Sequence, residues 1–208
     1  MAARAFFDPS ARQRATEAVK AVESRAAAEI GIAVRKTSAS YRGTDLGFAS
    51  VLAALTLAFL WFSPIAFSPA KMSLNAAAVF VLAAFASSAI GPLRRLLSGK
   101  RTLRANAERN ARSVFYEQGI LRTTGRTGIL VFVSVFERAA VLVPDIGVDP
   151  AKLGEPYAAA EKAIQAAVAR ADFEAFVKAV ESLGPALETQ LPRSADDVNE
   201  LPDEVDAA

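Results

Sequence analysis

From Leu46 to Leu93 the chain runs for 48 residues with a single charge, Lys71. Leu46–Ala70 is uncharged over 25 residues and Met72–Leu93 over 22. At about 1.5 Å per helical residue, either run can cross a hydrocarbon core of about 30 Å. Pro64 and Pro69 fall late in the first run, so the first helix is expected to end near them and SPAKMSLN to form a tight turn. Trp61, Phe62 and Phe67 sit where an interfacial aromatic belt belongs. The alternative, two buried helices of a soluble bundle, fits two such lengths less well. The first prediction is a two-helix transmembrane hairpin over 46–97.

The flanks orient it. Arg35, Lys36 and Arg42 precede the first span, while Arg94, Arg95, Lys100, Arg101 and Arg104 follow the second. Basic residues favour the cytoplasmic side, so both chain ends are expected in the cytoplasm, with the bacterial inner membrane as the location. The first 45 residues are charged and helical, without the apolar region of a cleavable signal. The five basic residues after the hairpin are candidates for the membrane surface, where each contributes about 1 kcal/mol against anionic lipid.

Charge is unevenly spread: residues 1–112 hold 16 Lys/Arg and 6 Asp/Glu, and residues 113–208 hold 8 and 16. The basic half invites a nucleic-acid reading, but no aromatic platform or reading motif accompanies it and the cluster abuts the apolar block. The bilayer is the expected partner, together with a protein partner the sequence does not name. Cys and His are both absent, which removes thiolate–imidazole zinc sites, cysteine nucleophiles and histidine acid–base chemistry.

Around the hairpin, local patterns alternate between helix and strand. Residues 8–28 carry an apolar stripe (Ala11, Ala15, Ala18, Val19, Val22, Ala26) behind an Asp8-Pro9 start, which predicts a helix. Residues 29–37 alternate with Ile30, Ile32 and Val34 on one face, which predicts a strand. A helix follows from Leu103 to near Gly119, then strands at 128–134 and 139–144, apolar on both faces. Strands of that kind are covered by helices on both sides. Helices over 156–171 and 172–190 complete the order, the second interrupted near Gly184-Pro185. The predicted fold is a small α/β/α sandwich with a mixed sheet, built from 1–45 and 98–191 and interrupted by the hairpin. Residues 192–208, with six carboxylates among the last 13, read as a solvated, disordered tail.

Four stretches, AAAEIGIAVRKTSASYR, TGILVFVSVFERAAVLVPDIG, ARADFEAFVKAVESLGPALETQLP and DDVNELPD, resemble the TPM-domain family, the thylakoid-lumen phosphatase-like proteins and their bacterial membrane-bound relatives. The resemblance implies an α/β/α sandwich with a membrane hairpin after the first strand, and divalent-cation binding or acid phosphatase activity in some members. It carries over onto Gly128, Glu137, Arg138, Asp145 and Gly147. The chain departs from the family at Ala139, Ala140 and Leu142, where outward-facing charges are common. Its acidic cluster is reduced to Glu137, Asp145 and Asp149.

Two groups of candidate site residues follow. Asp145 and Asp149 flank Gly147 and could offer two oxygens to Ca²⁺ or Mg²⁺; turn chemistry, with Gly147 at positive φ, is the competing explanation. Ser38, Tyr41 and Ser134 fall near the carboxyl ends of the strands at 29–37 and 128–134, where α/β sheets tend to bind ligands, so Tyr41 and Ser134 are candidates for a pocket. Glu137-Arg138 reads as a solvated hairpin tip. At about 3.3 Å per strand residue, Glu137 and Asp145 lie over 20 Å apart on a continuous strand and cannot act as an acid–base pair. No residue is assigned a catalytic role. The expected function is a non-enzymatic binding or scaffolding module at the cytoplasmic face of a membrane. The alternative is a divalent-metal-dependent phosphatase, or a calcium-binding domain, using the Asp145/Asp149 loop.

Overall fold

The computed structural model describes residues 2–193, 200–201 and 205–207. It resolves into two compact units, Met1–Ser38 with Arg104–Ala208, and Ala39–Leu103. The first is an α/β/α sandwich. Its sheet has the order β3-β2-β1-β4, with β1 Ile30–Arg35, β2 Ile129–Ser134, β3 Ala139–Pro144 and β4 Asp206–Ala207. β1 runs parallel to β2 and β4, and β2 runs antiparallel to β3.

Period-2 alternation sends successive side chains to opposite faces. β2 is covered on both, as its sequence predicts. β1 is also covered on both, although only one face was expected to be apolar. β3 is buried at Ala140 and Leu142 but only half-buried at Ala139, Val141 and Val143. Ile30, Ile32, Val34, Ile129, Val131 and Val133 pack under α1 (Pro9–Glu23), α6 (Pro150–Arg170), α7 (Phe173–Glu181) and α8 (Leu183–Glu188). Ala33, Leu130 and Phe132 face Ala107, Ala111, Val114 and Phe115 of the helix Lys100–Glu117. Phe132, Ile129 and Leu130 are wholly enclosed, each such side chain contributing about 1.5–3 kcal/mol through burial.

Helix ends follow local chemistry. Asp8 accepts from the Ser10 amide with Pro9 behind it, and Asp172 accepts from the Ala175 amide. α1 stops at Glu23, short of the predicted residue 28, and the Glu23 carboxylate accepts from the Ile30 amide at 3.0 Å, tying the helix end to the start of β1. α6 begins at Pro150 rather than Pro156: Gly154, at φ 67°, kinks it, and Pro156 sits in the first turn of the second part.

The second unit holds α2 (Arg42–Trp61), α3 (Pro69–Ala89) and α4 (Gly91–Ser98), and the helix Lys100–Glu117, α5, starts within it. α2 and α3 are long and apolar enough to cross a membrane. Their large apolar side chains face outward (Phe59 75%, Trp61 76% and Phe85 71% exposed), unlike the core helices of a soluble bundle. The connection falls at residues 62–68, earlier than predicted. Pro69 occupies the first turn of α3, where its missing N–H costs nothing, so SPAKMSLN is mostly helix.

Two sequence expectations need correction. The acidic tail is not wholly solvated: Asp206 and Ala207 add β4 beside Ala33 and Val34 of β1, and the Arg35 guanidinium bonds the Asp206 carboxylate at 2.6 Å. The remaining tail residues, 194–199, 202–204 and 208, lie outside those described. Glu137 is not a solvated tip either, because it is 6% exposed.

Candidate functional site

At the carboxyl ends of β1 and β2 a carboxylate is folded inward. β2 ends at Ser134 and turns through Val135–Arg138 into β3, with Arg138 in the left-handed region at φ 51°. The turn stays fastened to the exit of β1: the Val135 amide donates to Arg35 O and the Phe136 amide to Lys36 O, each at 3.0 Å. The Glu137 carboxylate accepts the Ser38 amide at 2.8 Å and the Thr37 hydroxyl at 3.3 Å. It also takes a short bond from the Ser134 hydroxyl. An ionised carboxylate only accepts, so Ser134 spends its proton there and its oxygen accepts from Ser38 Oγ at 2.6 Å. From α5, Asn110 Nδ2 donates to Ser38 O at 3.1 Å.

The expected meeting of Ser38 and Ser134 therefore occurs, and Glu137 joins them. Tyr41 belongs to the second unit, as the residue preceding α2. Chemically, the hydroxyls donate inward in series toward one carboxylate, and that carboxylate is satisfied by protein groups. The arrangement fixes where β1 leaves the sheet. Sequence reasoning took Glu137-Arg138 for a polar turn, although the Ser134–Glu137 spacing of three across a tight turn was a usable signal.

The other end of β3 carries the metal candidates. Asp145 is 5% exposed, and its two oxygens take Nε and Nη2 of Arg126 at 2.6 and 2.8 Å, plus the Ile146 amide at 2.8 Å. The Arg126 bonds hold its carboxyl below the usual carboxylate range against the opposing effect of burial. Asp149 caps α6, accepting from the Ala151 amide at 3.0 Å, with Lys152 Nζ 3.8 Å away. Among the described residues, no three Asp or Glu side chains converge as a cation site. Gly147 is needed for space rather than for positive φ: a Cβ there would lie 2.4 Å from Gly125 O and 2.5 Å from Arg126 O. Arg126 as the partner of Asp145 was missed because the β2–β3 register, not sequence proximity, brings them together. Glu137 and Asp145 stand beyond opposite ends of the unbroken β3.

Of the basic residues proposed for the membrane surface, Arg94 is bound within its unit. Its Nε and Nη2 reach Asp45 at 3.0 and 2.5 Å, and Ser87 Oγ completes the buried carboxylate's contacts at 2.7 Å. Arg104 pairs with Glu108 one turn along at 2.9 Å. Arg95 is half-buried, and Lys100 and Arg101 are exposed.

These features define an α/β/α sandwich of mixed sheet interrupted by two apolar helices of membrane-spanning length. The chain is similar to the NMR structure of BA42 protein from the psychrophilic bacterium Bizionia argentinensis. The likeness has a TM-score of 0.57 at 16% identity, covering 97% of this chain and 94% of that one, and it shows a shared fold. No protein-family model matches the chain, and no curated protein matches it in sequence.

Proposed function

We propose that the chain is a membrane-anchored, TPM-like binding or scaffolding module rather than a phosphatase, with its sandwich on the cytoplasmic face of a bacterial inner membrane. The observation that carries this reading is the commitment of its carboxylates. Glu137 is occupied by Ser38, Thr37 and Ser134, and Asp145 by Arg126 and the Ile146 amide. Asp149 serves as a helix cap. A metal-dependent phosphatase needs several oxygens free to converge on a cation, and the bonds around Asp145 would have to break first. The anchor is supported by the outward-facing apolar side chains of α2 and α3. The orientation is supported by the basic flanks.

Thermal unfolding of the full chain in mild detergent tests the choice. Bound metal stabilises the fold by linkage, by about 2.7 kcal/mol at 100 times its dissociation constant, and so raises the midpoint. The expected result is no shift with millimolar Ca²⁺ or Mg²⁺. A shift abolished by Asp149→Asn, or metal-dependent release of phosphate from a phosphomonoester, would replace the binding-module reading with the calcium-binding or phosphatase one. Reporter fusions at residue 72 and at the C-terminus test orientation separately; an external C-terminal reporter would reverse it.

A further inference from the structure

β3 is an edge strand. Its partner on one side is β2, and the amide of Asp145, just beyond its end, donates to Gly128 O at 2.8 Å. Backbone groups alternate in direction along an antiparallel strand. The odd residues 139, 141, 143 and 145 thus face β2, while Ala140, Leu142 and Pro144 turn theirs to the outer edge, which no strand among the described residues occupies. That edge offers two amide donors, since Pro144 has none, and three carbonyl acceptors. Sheet edges are normally blunted by charged residues, yet the strand reads AAVLVP without a charge. A groove of about 390 Å³ runs along it, lined by Ala140–Pro144 and walled by Arg104, Glu108 and Arg112 of α5 and by Glu161 and Gln165 of α6.

The walls differ in charge. On the α5 side Arg104 is neutralised by Glu108, whereas the exposed Arg112 guanidinium has no carboxylate partner among the described residues. On the α6 side Glu161 is engaged by Gln165 Nε2 at 3.0 Å. From the free ladder and the uncompensated Arg112, we infer that β3 receives an extended segment of a partner protein as a fifth strand. Its alternate side chains are acidic toward α5 and uncharged toward α6. Backbone bonds supply affinity and the alternate side chains select the partner, as in other strand-addition complexes. Pro144 ends the added ladder on one side. This assignment rests on the binding-module reading and names the surface that reading lacks.

The probe is a capped six-residue peptide of alternating Glu and Val, added to the full chain in detergent, with amide exchange read at Ala140 and Leu142. Protection at both residues is expected. An alternating Lys–Val peptide should bind at least tenfold more weakly, the order should reverse in Arg112→Glu, and N-methylation of alternate peptide residues should abolish protection. No protection at millimolar peptide overturns the assignment, as does protection indifferent to Arg112→Glu. Protection that grows with protein concentration without peptide would show that a second copy occupies the edge, and overturns it too. Metal-dependent phosphate release would instead overturn the module reading itself, whatever the peptide does.

Discussion

Replacing Glu137 by Gln tests whether the turn is a lock or a solvated tip. In the native arrangement the carboxylate accepts the Ser38 amide and the Thr37 and Ser134 hydroxyls, and hydrogen bonds to a charged group are worth about 1.5–3 kcal/mol each. Gln is nearly isosteric but keeps one acceptor oxygen. If that oxygen stays on the Ser38 amide, the new NH₂ meets Ser134 Oγ. Ser134 is fully enclosed and lies 2.6 Å from Ser38 Oγ, so its proton loses the carboxylate and can turn only to that neutral hydroxyl, which must give up its own bond to Ser134. The net loss is one charge-assisted bond, about 2 kcal/mol. The assay is amide exchange of the full chain in detergent, read at Ser38 and across 133–138. Since 1.4 kcal/mol is tenfold, opening of this segment should become about 30-fold more frequent. The control is Arg138→Gln, one residue along and exposed, expected to stay within about 0.5 kcal/mol. Exchange in Glu137→Gln within threefold of the parent would refute the reasoning, because the carboxylate would then be satisfied by water.

Three further outcomes follow from buried polar groups. The Tyr157 hydroxyl is buried without a hydrogen-bond partner among the described residues, and burial raises its pKa. Since an unsatisfied polar atom costs about 1–3 kcal/mol, Tyr157→Phe should leave thermal stability unchanged or raise it by about 1 kcal/mol, and a loss above that would reveal a partner. In the second unit, Asp45→Ala strands Arg94 and should cost about 3–5 kcal/mol. The double change Asp45→Ala/Arg94→Leu should recover most of it, and additivity of the two single effects in detergent melts would argue against the pair. The Asp145 pKa is depressed in the fold by Arg126, so its stabilising contribution is complete above the unfolded value, about pH 4. It is lost as pH falls from there through the folded value. An Asp145→Asn variant should therefore lose less stability than the parent below about pH 4, and parallel acid limbs would sink that attribution.

Features set by neighbours in sequence were readable. The two apolar runs, the stripes of α1 and α7, the Asp-Pro start of α1 and the apolar strands each depend on residues a few positions apart. Each forms a helix or strand of the predicted type, with the ends of α1, α2, α3 and α6 displaced. Features set by register were not. Arg126 meets Asp145 because β2 and β3 pair residue 128 with residue 145; Arg94 meets Asp45 because both flank the apolar runs. β4 is two residues long, too short for any periodic signal, and it rests on the pairing of Asp206 with Arg35 and with Gln118 Nε2 at 2.7 Å. Shifting the turn from 68–75 to 62–68 needed only the rule that Pro is favoured in a first helical turn, applied to Pro69.

The inward carboxylate follows from the topology once every backbone donor near the sheet is followed to an acceptor. β1 ends at Arg35, paired with Ser134 of β2, and the chain runs on past it. There β2 turns away into β3, although Val135 and Phe136 still donate to Arg35 and Lys36. At Ser38 the β1 chain has outrun the ladder, and its amide is the next donor without a strand to receive it. Ser38 is half-buried, and a backbone donor turned partly away from water favours a protein acceptor. The turn supplies that acceptor, through a side chain long enough to double back from the third residue after Ser134. Glu137 has that length, and the positive φ of Arg138 lets the chain reverse immediately afterward. A carboxylate, rather than an amide, is favoured because three donors converge there and an ionised group accepts all of them. The next residue, Ala39, begins the unit that carries the apolar helices. The same bond that completes the sheet therefore also sets the last fixed point of the chain before that unit.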